Sequence, residues 1–216
     1  MKTEELENIL KNLQSNYNRI EVIESLAQKL REDKSILESI QHILEKSKTY
    51  EGFKQNSVII SYCIHILIQS QRPESMFLVL QHVKSLPESI PLRYVEFLGR
   101  LLPFFGKIII GPAKELCQFP MGTPQHAVGI QILCNLFLDN LLGEENFSYL
   151  VKLINEFEQD PYFSKNLIDL VKSTSEYKLL LQKTKELEEQ AKKEIFLDDT
   201  LLIDDSILVE KPVKEN

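Results

Sequence analysis

The chain has 216 residues, of which 43% are hydrophobic and 26% are charged, and its formal net charge is −7. These values are ordinary for one soluble globular domain, and seven glycines and nine prolines are too few for a turn-rich β-sandwich. Residues 1–185 hold 22 acids and 21 bases, whereas residues 186–216 hold ten acids and four bases. A body without net positive charge is poorly suited to a phosphate backbone, so nucleic acid is not an expected partner.

The N-terminal region predicts three amphipathic helices. Leucine and isoleucine recur at helical spacing from Leu6 to Leu13, from Ile23 to Leu30 and from Ile36 to Leu44. This spacing places them on one face of each helix. Thr3 and Asp33 are suited to cap the first and third helices, because their side-chain oxygens can accept from unpaired backbone amides.

Residues 53–142 are poor in charge. They carry 12 charged residues in 90 positions, whereas the other 126 positions carry 45. A helix in water needs a polar face, so helices in this region must be covered on more than one side, by the core or by a partner. The predicted helices cover about 55–70, 74–85, 91–105, 107–118 and 124–142.

Prolines locate several helix boundaries. Pro73, Pro91 and Pro124 stand at predicted helix starts, where proline is tolerated and pre-organised. Pro103 lies inside an apolar stretch, and it either kinks that helix or ends it early. The interval 103–112 is therefore expected to be the least regular piece of the core.

The later part of the chain continues the helical pattern, with predicted helices over 146–158, 162–172 and 174–195. Successive helix centres are roughly 14 to 22 residues apart, so a helix pair forms a unit of about 40 residues, the size of HEAT and armadillo repeats. The predicted fold is all-α: an irregular HEAT/armadillo-like helical repeat or superhelical bundle of about 9–11 helices over residues 1–195. An irregular globular bundle is the alternative, and a flexible acidic tail is expected over 196–216.

The acidic tail alternates apolar triplets with acidic pairs. It cannot bury enough apolar area to offset its ordering entropy, so we expect it to be flexible in isolation. Asp204–Glu210 has the build of a strand-addition ligand and resembles the hydrophobic-plus-acidic motifs that bind SUMO-like ubiquitin folds. Asp198–Ile203 also fits an acidic dileucine sorting pattern. Three interpretations stay open: a solvated end, a linear partner motif, or a segment that folds back onto the body.

Motifs that specify a reaction are missing from the sequence, which has no Walker A loop, no G-x-S-x-G and no G-x-G-x-x-G. Cys63 and His65 are two positions apart on a predicted helix and face different directions, so we assign them a structural role. Cys117, His126 and Cys134 lack the spacing of a zinc site. No catalytic residue, metal ligand or cofactor is predicted.

The three cysteines lie in apolar surroundings, and no signal peptide precedes them. An odd count of this kind predicts reduced thiols in an intracellular protein, with the cytoplasm the first expectation and the nucleus the alternative. The longest apolar run, Val58–Ile68, is too short to span a bilayer as a helix, so no transmembrane segment is expected.

Aromatic residues, Tyr94 and Phe97 among them, are frequent in the charge-poor region. They indicate either core packing or a groove that receives a partner helix or peptide. The segment 101–110 is the best candidate surface, because it is too apolar for an irregular segment in water. The predicted partner contacts are Phe104, Phe105, Ile108 and Ile109 in this segment, and Leu202, Ile203, Ile207, Leu208 and Val209 in the tail.

The sequence therefore predicts a non-enzymatic protein-interaction scaffold, or a subunit of a larger intracellular assembly, that buries apolar surface of its central helices against another protein. A membrane-trafficking adaptor with a superhelical cargo-binding domain is an alternative, and a lipid-facing basic patch would favour it. An enzyme is the third hypothesis. It would be favoured if folding brought His126, Cys117 or Cys134 and a carboxylate into one cleft.

Overall fold

The computed structural model describes residues 1–13, 18–157, 160–162, 164–183, 185–187 and 189. The regular structure of these residues is entirely helical, which confirms the predicted all-α class. Up to Ser173 the described part of the chain forms ten α-helices. They are α1 (Thr3–Asn12), α2 (Arg19–Glu32), α3 (Ser35–Glu45), α4 (Tyr50–Ser70), α5 (Pro73–Lys84), α6 (Leu92–Leu101), α7 (Ile110–Leu116), α8 (Pro124–Leu138), α9 (Phe147–Phe157) and α10 (Lys165–Ser173). Shorter 3-10 segments cover Lys46–Lys48, Leu102–Ile109 and Glu144–Asn146.

Prolines place several helix starts where the sequence indicates them. Pro73 and Pro124 occupy the first turns of α5 and α8, and Pro91 directly precedes α6. Lys34 stands at the cap position of α3, so the predicted Asp33 cap is wrong by one position, although the Asp33 carboxylate accepts from the Ser35 amide at 2.8 Å. Thr3 is the first residue of α1 and Lys2 stands at the cap position, so the predicted Thr3 cap is wrong.

The longest helix, α4, begins at Tyr50, several residues before its predicted start. The Thr49 hydroxyl oxygen accepts from the Gly52 amide at 3.1 Å and provides the cap. Gln71 ends the helix in the left-handed region, at a φ of 54°.

Pro103 ends α6 early, which is one of the two outcomes that its position predicts. It cannot donate the amide hydrogen bond of an α-helix interior, and the chain continues as the 3-10 segment Leu102–Ile109. Gly106 has a φ of 70° and a ψ of −152°, a conformation that is open to glycine. The predicted helices over 91–105 and 107–118 are therefore shortened to α6 and α7.

Two helices organise the core of residues 1–171. In the N-terminal half α4 packs against α1, α2, α3 and α5. In the following half α8 packs against α5, α6, α7 and α9. The charge-free α8 buries 13 of its 15 residues, so it is covered on nearly every side. The helices that surround α4 and α8 each contribute one apolar face to the core, as their helical spacing predicts.

Two glycines let neighbouring helices approach α8 closely. A Cβ added to Gly99 of α6 would lie 2.6 Å from Cβ of Gln131. A Cβ added to Gly129 of α8 would lie 2.8 Å from the Ala113 carbonyl oxygen of α7. Asn135 strengthens the first contact, because its side-chain amide donates to the Gly99 carbonyl at 3.0 Å.

The chain divides into two units, Met1–Val171 and Lys172–Asn216. In the second unit the described residues include a helix over 175–183, within the predicted helix 174–195. Thr174 precedes it, and its hydroxyl oxygen accepts from the Tyr177 amide at 3.2 Å. The predicted domain boundary at 195–196 and the predicted tail 196–216 lie outside the described residues.

Candidate partner-binding groove

An aromatic groove lies between the N-terminal half of α4 and the start of α6. Its volume is about 340 Å³. The α4 wall uses positions 50, 53, 54, 57 and 61, whose spacing places them on one helical face. The complete lining is Tyr50, Phe53, Lys54, Ser57, Ser61, Pro91, Arg93, Tyr94 and Phe97. We call this set the α4–α6 groove.

Aromatic rings form the floor of the groove. Phe53 and Tyr94 are buried and meet edge to face, with ring centroids 4.7 Å apart. Tyr94 and Phe97 stack at 5.6 Å, one helical turn apart on α6. The half-buried His65 imidazole meets Phe97 edge to face at 5.2 Å, and burial lowers the pKa of His65. These contacts hold the rings in fixed orientations, so the floor is pre-formed.

A buried hydrogen-bond relay fixes Tyr94 from behind. His82 Nε2 lies 2.7 Å from the Tyr94 hydroxyl, and His82 Nδ1 lies 3.0 Å from Ser47 Oγ. Because the Ser47 hydroxyl donates to the Leu44 carbonyl, it accepts from His82 Nδ1–H. His82 is thus the Nδ1–H tautomer, and Tyr94 donates to Nε2.

The relay requires a neutral imidazole. Burial lowers the pKa of His82 to about 4 and raises the pKa of Tyr94 well above its usual range. Both side chains are therefore uncharged near neutral pH. The Ser47, His82 and Tyr94 side chains are 1%, 3% and 7% exposed, so the relay positions the floor and is not open to a substrate.

The rim of the groove is cationic. Lys54 stands on the α4 wall and Arg93 on the α6 wall, and both are exposed. Neither forms an ion pair with a carboxylate among the described residues. The groove lining includes no acid, so the apolar floor lies between two cations that form no ion pair with a described carboxylate.

The sequence-predicted contacts of the 101–110 segment separate onto two sides. Phe104 and Ile108 are 67% and 61% exposed. Phe105 and Ile109 are 7% and 0% exposed, so they pack in the core of the described structure. The predicted tail contacts Leu202, Ile203, Ile207, Leu208 and Val209 lie outside the described residues.

The sequence shows Tyr94 and Phe97 as members of an aromatic-rich region, but it does not predict the α4–α6 groove. Lys54 and Arg93 are separated by about 40 positions, and their relationship depends on how α4 and α6 meet. The one available signal is the polar N-terminal part of α4, which includes Lys54, Ser57 and Ser61, in contrast to its more apolar C-terminal part.

Folding brings one of the reactive candidates next to a carboxylate. His126 Nδ1 lies 3.3 Å from Asp160 Oδ2, and both side chains are buried. The Asp160 oxygens also accept from the amides of Gly122 and Tyr162, each at 2.8 Å. The carboxylate therefore joins two loops to the start of α8, which is a structural role.

The cysteines are free thiols in buried positions. Burial raises the pKa of Cys117 to about 12 and raises the pKa values of Cys63 and Cys134 further. Such thiols are poor nucleophiles. Among the described residues, histidines, cysteines and carboxylates form no group of three or more that could hold a metal ion.

Comparisons with family models, with curated proteins and with solved structures returned no match for this chain. Within the described part of the chain, no helix combines the length and the apolar character that crossing a bilayer requires. The α4–α6 groove is therefore interpreted from its own geometry.

Proposed function

We propose that this chain is a non-enzymatic protein-interaction module, a scaffold or a subunit of a larger assembly, which binds a segment of a partner in the α4–α6 groove. One observation carries the proposal: an aromatic groove, open at the exposed Tyr50 and the half-buried Phe97 above the buried rings of Phe53 and Tyr94, lies between two cations that are unpaired among the described residues. Exposed apolar rings in fixed orientations are typical of a binding surface, because a partner that covers them removes apolar area from water.

The wider architecture supports an interaction role. Helices two apart in the chain pack together, as α1 on α3, α2 on α4, α3 on α5 and α6 on α8. We interpret this order as an irregular superhelical arrangement, the kind of fold that presents grooves between successive helices.

Phe104 and Ile108 are proposed as a second contact. Both are large apolar side chains that are mostly exposed on the 3-10 segment Leu102–Ile109. The tail residues Leu202, Ile203, Ile207, Leu208 and Val209 stay proposed contacts of a linear motif.

Site-specific photo-crosslinking tests the proposal. A benzoylphenylalanine at Ser57, inside the groove, is expected to crosslink a defined partner in cells of the source organism. The same probe at Lys152, an exposed position of α9, is the matched control. Ser61→Trp should fill the groove and abolish the Ser57 adduct without changing the melting temperature. Identical adducts at both positions, or adducts that survive Ser61→Trp, would overturn the assignment of the groove.

A further inference from the structure

The dimensions of the α4–α6 groove limit what it can hold. Its α4 wall extends from Tyr50 to Ser61, twelve residues that rise about 16 Å along a helix, or three turns. The volume of about 340 Å³ is roughly twice that of a ~150 Å³ cavity that holds one benzene ring. The groove thus has room for two apolar side chains of leucine or phenylalanine size.

The backbone of the walls limits the conformation of the occupant. Both walls are helices, and beyond their first turns the amides and carbonyls are used in hydrogen bonds within each helix. An extended peptide would find no row of free backbone groups to pair with, as it does at a sheet edge. A helical occupant satisfies its own backbone and can place two anchors on one face.

The rim charges limit the composition of the occupant. Lys54 and Arg93 lie on opposite walls, and no described carboxylate pairs with either. A ligand that fills the floor brings its flanking residues up to both cations. Carboxylates on both flanks complement this rim, and basic residues there are repelled.

From these constraints we infer that the groove binds an acidic amphipathic helix of a partner protein, about three turns long, with two apolar anchors at i and i+3 or i+4 and carboxylates on both sides of them. This inference rests on the proposed function and specifies the partner of that same site. Lys54 and Arg93 determine the charge of the partner, and the exposed Tyr50 and the half-buried Phe97 contact its anchors.

A displayed library of randomised helical peptides, selected against the full chain, tests this inference. The expected clones carry a net negative charge and an apolar pair at helical spacing. The best clone should bind Lys54→Glu/Arg93→Glu at least about tenfold more weakly, because reversed charges repel the flanking acids. Lys29→Glu/Lys152→Glu, two exposed lysines outside the groove, is the charge-matched control and should bind normally.

The outcomes separate the two proposals. If the clones are neutral or basic, or if they bind Lys54→Glu/Arg93→Glu as tightly as the wild type, the occupant is not an acidic helix. The groove then remains a binding site. If the selected clones still bind the Ser61→Trp variant, or if the selection enriches no clone, the groove is not the binding site. Lys54→Ser/Arg93→Ser provides a milder second variant, and equal melting temperatures exclude misfolding as the cause of lost binding.

Discussion

Arg31 and Arg72 cap each other's helices. Arg31, in the last turn of α2, donates to the Ser70 and Gln69 carbonyls at the end of α4, at 3.2 and 3.0 Å. Arg72, just beyond α4, donates to the Leu30 and Arg31 carbonyls at the end of α2, at 2.9 and 3.3 Å. Each guanidinium thus satisfies carbonyls that have no partner within their own helix. The carboxyl ends of α2 and α4 are joined by this reciprocal contact.

Replacement of Arg72 by methionine should lower the free energy of unfolding by about 1–2 kcal/mol, because two carbonyls lose a charged donor while the apolar stem is kept. Arg72→Lys should recover only part of the loss, since an ammonium cannot reproduce the planar fork. Urea denaturation followed by circular dichroism measures both. Arg100→Met, at an exposed position of α6, is the control and should change little. An Arg72→Met variant as stable as the control would contradict the reciprocal cap.

The relay behind the groove predicts a pH dependence of stability. Unfolded His82 has an ordinary pKa of about 6.5, and folded His82 has a pKa of about 4. Between these values the unfolded chain binds a proton that the folded chain does not. This contribution is complete above about pH 6.5 and falls toward pH 4 by at most about 1.4 kcal/mol per pH unit.

The variant His82→Gln removes this titration while it leaves an acceptor for Tyr94. We expect its stability to fall less steeply than that of the wild type between pH 6.5 and 4, although it is lower at pH 7. Denaturant midpoints of the variant and the wild type are compared across this pH interval. The carboxylates contribute equally to both proteins, so their contributions cancel in the difference. The exposed His42→Gln should follow the wild-type curve. Parallel curves for His82→Gln and the wild type would show that the imidazole is not held neutral.

Close approach of α7 and α8 predicts different effects for two glycine substitutions. Gly129→Ala should cost about 1–3 kcal/mol, since its Cβ would meet backbone atoms that cannot move aside. Gly111→Ala, in α7, meets no atom within 4 Å apart from its own helix and its chain neighbours. Because Pro112 follows it and crowds a Cβ there, the gain in helix propensity is offset, and stability should change by less than about 0.5 kcal/mol in either direction. Thermal melting of both variants tests the packing. The prediction fails if both substitutions lower the melting temperature equally.

The different exposure of Phe104 and Phe105 in the 3-10 segment predicts different effects of their substitution on stability. Phe105→Ala should destabilise the protein by about 3 kcal/mol because it opens a cavity in the core. Phe104→Ala removes a ring that is 67% exposed and should change stability by less than about 0.5 kcal/mol. Chemical denaturation distinguishes the two variants. Similar losses would mean that Phe104 is covered in solution.

The sequence predicts most helices because their apolar residues recur with the helical period, and because Pro73, Pro91 and Pro124 mark helix starts. It does not predict that Phe104 faces water while Phe105 faces the core. Pro103 ends the regular helix and Gly106 breaks the segment that follows, so no single helical period assigns the sides there.

The groove is hidden from sequence reasoning for a different reason. Lys54 and Arg93 are ordinary exposed cations when each is read along its own helix. They form a rim only because α4 and α6 meet, with the Phe53 ring against the Tyr94 ring at this point. The reciprocal arginine caps likewise depend on how two separated helices end beside each other.

The position of α8 in the chain has a consequence for biosynthesis. Helices α5, α6 and α7 all pack on α8, which leaves the ribosome after them. Because translation adds about 5–20 residues per second, the apolar faces of these three helices stay uncovered for seconds until α8 is made. A nascent chain that ends before Pro124 is therefore expected to expose apolar surface of the kind that chaperones bind.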